Sequence, residues 1–152
     1  MTVLDSALFW QRKWDLWKAA KQFPTLYARC NYVLAFELGR DDFGFSYANS
    51  GRNYTGPALD LSGSTVKLIC EKMPVKPGLL DASRGEGWTQ TTEVFTVAGV
   101  IQGSDSGEVN FTLTASHTDT LGNCLAQIEV TDADGNVFVP GMVRMKFLEK
   151  LG

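Results

Sequence analysis

The spacing of hydrophobic residues changes near residue 24. Before it, apolar residues recur at steps of three and four, the spacing of one face of an α-helix. This pattern predicts an amphipathic helix from Thr2 to Phe23. Pro24 ends it, because a proline disfavours helical backbone in the preceding residue. The apolar stripe of the predicted helix consists of Val3, Ala7, Trp10, Trp14 and Trp17.

From Tyr27 onward, apolar and polar residues alternate, which is the period of a half-buried β-strand. The first strand ends at Leu38, and the turn residues that follow separate further strands. About seven short strands predict an antiparallel β-sandwich of immunoglobulin-like type. The chain is therefore predicted to be mainly β, with a Trp-rich helix over residues 1–24 and a sandwich over 25–152. The later strands are predicted at Phe43–Ala48, Ser64–Glu71, Thr92–Ile101, Glu108–Ala115, Asn123–Thr131 and Val137–Leu148.

The alternation also predicts which side chains form the core of the sandwich. One face of each strand carries the larger apolar residues and the other face carries polar ones. Two interruptions are expected: a hairpin turn at Asp132–Asn136, and a bulge or an edge break at Pro140-Gly141. The predicted inward residues are Leu34, Phe36, Val66, Leu68, Val109, Phe111, Ile128, Val130, Met145 and Phe147.

Composition narrows the range of partners. The chain has 152 residues and a net charge of −3, so it lacks the excess of cations with which nucleic-acid binders neutralise phosphates. No apolar run approaches the ~20 residues needed to cross a bilayer. The N-terminus also has no secretory signal pattern, which predicts synthesis in a cytoplasm. We expect neither nucleic acid nor a membrane to be a partner.

Three cysteines, Cys30, Cys70 and Cys124, are widely spaced, and none belongs to a Cys-x-x-Cys motif. Their odd number and spacing disfavour a disulfide framework and a zinc site. We interpret them as small buried hydrophobic residues in a reducing compartment. One alternative stays open: strands distant in sequence can be neighbours in a sandwich, so two of the cysteines could pair.

The residues that could carry catalysis do not form a known arrangement. His117 lies between Ser116 and Asp119 in one loop, whereas a catalytic triad needs side chains that converge from separate elements. The acidic run Asp132–Asn136 lacks the late glutamate of a calcium loop, since Val143 occupies that position. We therefore predict no catalytic, cofactor or metal site, and expect that the protein is not an enzyme.

The tryptophan stripe is the most informative feature of the sequence. Trp10, Trp14 and Trp17 either dock the helix on its own sandwich or anchor it in a neighbouring subunit, because aromatic residues dominate the binding energy of interfaces. Contact with a membrane surface is a weaker third interpretation. The long loop from Lys72 to Gln90 is expected to reach a partner or to move. It contains Trp88, the fourth predicted partner-binding residue.

Residues Gly56 to Leu68 resemble a known signature, "G-x-x-x-D-L-S/T-G-x-T-V". It belongs to the immunoglobulin-like N-terminal domain of bacteriophage baseplate upper proteins and related tail-fibre attachment proteins. Tyr32–Leu38 is similar to the first strand of that domain, Gly107–Leu113 to its "G-x-V-x-F-x-L" strand, and Gly122–Pro140 to its closing hairpin. The resemblance covers roughly residues 29–148. The Trp-rich helix, the aromatic insert Phe43–Tyr54 and the end at Gly152 without a fibre extension depart from it.

The resemblance implies a virion structural protein of a tailed bacteriophage, made in the cytoplasm of the bacterial host. Its expected partners are other virion proteins and further copies of itself, as a homo-oligomer. Its place would be in the tail, the baseplate or the fibre-attachment region, or on the capsid as a decoration subunit. The alternative is a carbohydrate-binding β-sandwich, in which Trp88, Tyr47 and Tyr54 would stack on sugar rings.

Overall fold

The computed structural model of the chain describes residues 3–46, 56–73, 93–119 and 122–151, with helix side chains described from Gln11 onward. One helix, α1, spans Val3–Ala19 and precedes the strands. A short 3-10 turn lies at His117–Asp119. The strands are β1 (Lys21–Gln22), β2 (Leu26–Tyr27), β3 (Tyr32–Leu38), β4 (Phe43–Ser46), β5 (Thr65–Lys72), β6 (Glu93–Ala98), β7 (Val100–Gly103), β8 (Glu108–Leu113), β9 (Gly122–Thr131) and β10 (Val137–Leu148).

The strands form two sheets that face each other. The first, the helix-side sheet, has the order β1-β10-β9-β5-β6, with β2 also pairing β10. The second, the open sheet, has the order β4-β3-β8-β7. Apart from the edge strand β4, the neighbours β10-β9-β5-β6 and β3-β8-β7 match the G-F-C-C′ and B-E-D strands of an immunoglobulin-like sandwich. The prediction of a mainly β sandwich preceded by one helix is confirmed.

The core lies between the two sheets and is made of the alternating residues that the sequence pattern indicates. All ten predicted inward side chains are buried. Phenylalanine rings fill its centre: Phe36 contacts Phe111 edge to face at 5.5 Å between ring centroids and lies 5.9 Å from Phe43. Such aromatic pairs add to the stabilisation that comes from burying apolar surface.

The helix ends earlier than the sequence predicts, at Ala19 instead of Phe23. The following residues leave the helix and pair in parallel with β10, where Lys21 lies opposite Val143 and Leu26 opposite Phe147. Phe23, between these two short strands, is fully buried and belongs to the main core. The gain from burying this ring and from pairing with the edge of β10 outweighs one further helical turn.

The run predicted as one strand from Thr92 to Ile101 is two strands in different sheets, β6 and β7. The chain crosses between the sheets at Gly99, whose N–H donates to the Val66 carbonyl at 2.7 Å. A Cβ at this position would lie only 2.6 Å from Cγ2 of Val109. Glycine is therefore required where the backbone passes close to the core.

The predicted turn and bulge around β10 are confirmed. Asp132 Oδ1 accepts hydrogen bonds from the N–H groups of Asp134 and Asn136, both at 2.9 Å, and Gly135 has a φ of 87°. The register of β10 shifts between Phe138 and Gly141. A side chain at Gly141 would overlap the ring of Phe43, so the bulge lets the two sheets approach each other.

Candidate interaction surface

Helix α1 lies on the outer face of the helix-side sheet. Trp14 and Trp17 face the sheet and contact each other edge to face, with 5.8 Å between ring centroids. Both pack, half-buried, against a small cluster separate from the main core, formed by Ala20, Met73, Leu125 and Met142. Trp14 and Trp17 thus dock the helix on its own sandwich. Trp10 lies on the same helix, but its side chain is outside the described part.

The outer face of this sheet is apolar where the helix lies. Leu125 points away from the core yet is only 5% exposed, because the helix covers it. The register places Leu125 opposite Glu71 on β5 and Arg144 on β10. Sequence reasoning did not select Leu125 as part of the site. The signal was available in the consecutive apolar residues Cys124-Leu125-Ala126, because a strand without alternation is covered on both faces.

Two charged contacts fix the position of the helix. The Lys13 ammonium forms an ion pair with Glu71 of β5, and Lys13 is only 9% exposed. Burial lowers the pKa of Lys13, since desolvation disfavours its charged form, while the nearby Cys70 partly opposes this effect. On the other side of the helix, the Arg144 guanidinium lies over the Trp17 ring at 5.8 Å from its centroid, a cation–π contact.

A groove of about 230 Å³ remains open between the helix and the sheet. Its walls are polar and apolar in nearly equal parts, the polar part being the Lys13–Glu71 pair and the amide side chain of Gln127. Leu16, on the rim of the groove, is 42% exposed, a large fraction for a leucine. The lining residues are Lys13, Leu16, Ile69, Glu71, Leu125, Gln127 and Met142. Leu16 and the apolar part of the groove together form a concave surface with an exposed apolar rim.

Other residues singled out by the sequence lie elsewhere or outside the described part. Trp88, Tyr47 and Tyr54 are outside it, as is the predicted loop 72–90 from residue 74 onward. His117 Nδ1 accepts a hydrogen bond from the Thr114 N–H at 3.0 Å, and its ring lies 5.3 Å from that of Phe95. This histidine therefore stabilises its own turn.

Within residues 3–46, 56–73, 93–119 and 122–151, no group of three His, Cys, Asp or Glu side chains is placed to hold a metal ion. In the same ranges, no helix is long and apolar enough to cross a bilayer.

Comparisons with known proteins add little beyond the fold. No protein-family model matches this chain, and no curated protein matches it. Among solved structures, murine CRIg is similar, at 8% sequence identity and a TM-score of 0.33, over 86% of this chain and 95% of that chain. At this identity and TM-score, the likeness says nothing about what the chain binds.

Proposed function

We propose that this chain is a virion structural protein of a tailed bacteriophage and that the surface of α1 joins it to a second copy. It acts by protein–protein contacts in the tail, baseplate or fibre-attachment region, or as a capsid decoration subunit. The observation that carries the interface is the exposed Leu16 beside the groove of about 230 Å³.

The size of the groove favours a second copy as its occupant. A two-fold axis through this surface places the same patch on both subunits, so that each Leu16 enters the groove of the other. Apolar cavities of about 150 Å³ accept a benzene-sized group. The groove at 230 Å³ therefore has room for a leucine side chain.

The charges of the groove also permit it to be covered. Removing a charge from water is costly unless it stays paired, and burying a lone lysine or glutamate would oppose association. Here Lys13 and Glu71 already pair with each other. A second copy can therefore cover the groove without leaving either charge unpaired.

The phage assignment rests on the resemblance of residues 56–68, a segment that forms a turn. Asp60 Oδ1 accepts a hydrogen bond from the Ser62 N–H at 2.9 Å, and Gly63 has a φ of 70°. Leu61 is buried in the core. The Asp-Leu-Ser-Gly part of the motif is thus a turn that anchors the start of β5, a structural role that suits a family without catalytic residues.

Sedimentation velocity of the purified full chain tests the interface. We expect a concentration-dependent dimer, and a monomer for the variant Leu16→Glu, because the charge would be buried without a partner. Val33→Glu is the matched control. Val33 is 57% exposed on the open sheet, so this variant should associate like the parent chain. A parent chain that stays monomeric at all concentrations, or a Leu16→Glu variant that still dimerises, would contradict the interface.

The virion assignment has its own test. Mass spectrometry of purified particles of the phage that encodes the chain should detect it at a copy number that is a multiple of a virion symmetry. Immunogold labelling should then place it on the tail or the capsid. Its absence from intact particles would refute the virion assignment and leave the dimer to be judged by sedimentation alone.

A further inference from the structure

Two cysteines lie side by side in the core of the helix-side sheet. Cys70 is on β5 and Cys124 on the neighbouring strand β9, and both are fully buried. The register pairs Cys70 with Ala126 and Lys72 with Cys124, so the two cysteines occupy diagonal positions on the same inward face. In the described residues all three cysteines are free thiols.

The two thiols interact with each other. The interaction with Cys124, together with burial, raises the pKa of Cys70, and the interaction with Cys70 lowers that of Cys124. Cys124 is therefore the more easily ionised of the pair, and Lys72 nearby contributes to this. Cys30 lies apart, where its backbone N–H and carbonyl both bond to the Thr118 hydroxyl.

We infer that Cys70 and Cys124 are a redox pair, which forms an intrachain disulfide in the presence of an oxidising disulfide such as oxidised glutathione. The Cys124 thiolate attacks one sulfur of oxidised glutathione and displaces a glutathione thiolate, leaving a mixed disulfide. The Cys70 thiol then loses its proton to solvent and attacks the Cys124 sulfur, which releases the second glutathione. The two cysteines lose two protons and two electrons, and the glutathione disulfide is reduced to two thiols.

The position of the pair explains how a buried thiol is reached. Cys124 is two residues from the start of β9, and Cys70 is two residues from the end of β5. Strand ends open locally far more often than the whole domain unfolds. The disulfide would join β5 and β9, the two central strands of the helix-side sheet. The two cysteines would stay reduced inside a cell and would form the disulfide outside it. The inference does not depend on the proposed function.

The test uses the full chain with oxidised glutathione at mildly alkaline pH. Free thiols are alkylated, the protein is digested without reduction, and the peptides are identified by mass spectrometry. We expect one cross-linked peptide pair containing Cys70 and Cys124, together with an alkylated Cys30. The melting temperature should rise by roughly 5–10 °C and return to its original value with dithiothreitol.

Two variants and a second arm make the result decisive. Cys30→Ser should still form the bridge, whereas Cys70→Ala should not. In the second arm, the chain is unfolded and refolded in a glutathione redox buffer, which removes the barrier of burial. The bridge in either arm supports the inference. Its absence from both arms, or pairing that involves Cys30 instead, overturns it.

Discussion

Phe23 and Trp17 are close in sequence but belong to different hydrophobic clusters, so their replacement should have different effects. Phe23 is fully buried in the main core, with its ring 4.7 Å from that of Phe45 and 6.0 Å from that of Phe36. Trp17 is half-buried under the helix, in the small outer cluster. We predict that Phe23→Ala destabilises the protein much more than Trp17→Ala, although tryptophan is the larger side chain.

The expected magnitudes follow from burial. Removing a fully buried phenylalanine side chain lowers the free energy of unfolding by about 3–5 kcal/mol, because apolar contact is lost and a cavity is left. Trp17→Ala removes a ring that stays in part solvated, together with a cation–π contact to Arg144, and should cost about 1–2 kcal/mol. In a domain of this size 1 kcal/mol corresponds to roughly 2–4 °C, so Phe23→Ala should melt about 10 °C below the parent chain.

Guanidinium unfolding followed by far-UV circular dichroism measures both variants. Circular dichroism is preferable to fluorescence, because Trp17 is itself one of the fluorophores. The samples should be dilute, since association would add to the apparent stability. Equal losses for the two variants would show that the helix belongs to the core as much as Phe23 does. A loss below about 1 kcal/mol for Phe23→Ala would contradict the role of Phe23 in the main core.

Three further outcomes follow from single contacts. Gly99→Ala should lower the free energy of unfolding by about 1–3 kcal/mol, measured by denaturant titration, because the added Cβ has no room at the crossing between the sheets. Glu71→Gln should lower the melting temperature, since it leaves the buried Lys13 ammonium without its ion pair, whereas Lys13→Met should be neutral or stabilising. Lys21 holds the pKa of Asp42 in the folded protein below its ordinary value of 3.8. The ion pair therefore stabilises the fold at pH values above 3.8, and this stabilisation is lost as the pH falls through the lower pKa of the folded state. Asp42→Asn should remove this part of the acid sensitivity in urea titrations between about pH 5 and pH 2.

The sequence predicted the core well because a strand with one face in water must alternate. Leu34, Phe36 and Val66 are buried as the period of two requires. The sequence does not indicate to which of the two sheets each strand belongs. Residues 92–101 form one run of mostly apolar residues that predicts a single strand, and the crossing at Gly99 depends on how closely the backbone passes Val109. That distance is a property of the packed sandwich and leaves no periodic trace in the sequence.

The partner-binding role that the sequence analysis gives to Trp10, Trp14, Trp17 and Trp88 stays a prediction. The helical spacing selected Trp14 and Trp17, and both do lie on the face of α1 that contacts the sheet. The residues beneath them were missed, because Ile69 and Met142 are not among the inward residues that the alternation selects. Both are half-buried on the outer face of the sheet. The consecutive apolar residues Cys124-Leu125-Ala126 signal that this face is covered, but which residues are covered depends on where the helix lies in the folded protein. The early end of the helix was missed for a related reason: the free edge of β10, with which Lys21 pairs, exists only in the folded protein.

Docking on its own sandwich and binding a neighbour are compatible roles for α1. A helix of 17 residues covers only part of the outer face of a six-stranded sheet, so part of that face stays open beside the helix. Trp14 and Trp17 use the covered part, while Leu16 and Ile69 border the part left open. Under the proposed function the residues therefore divide by role: the tryptophans determine where the helix lies, and Leu16 would contact the second copy. This division explains why the test of association should change Leu16 and the test of docking should change Trp17.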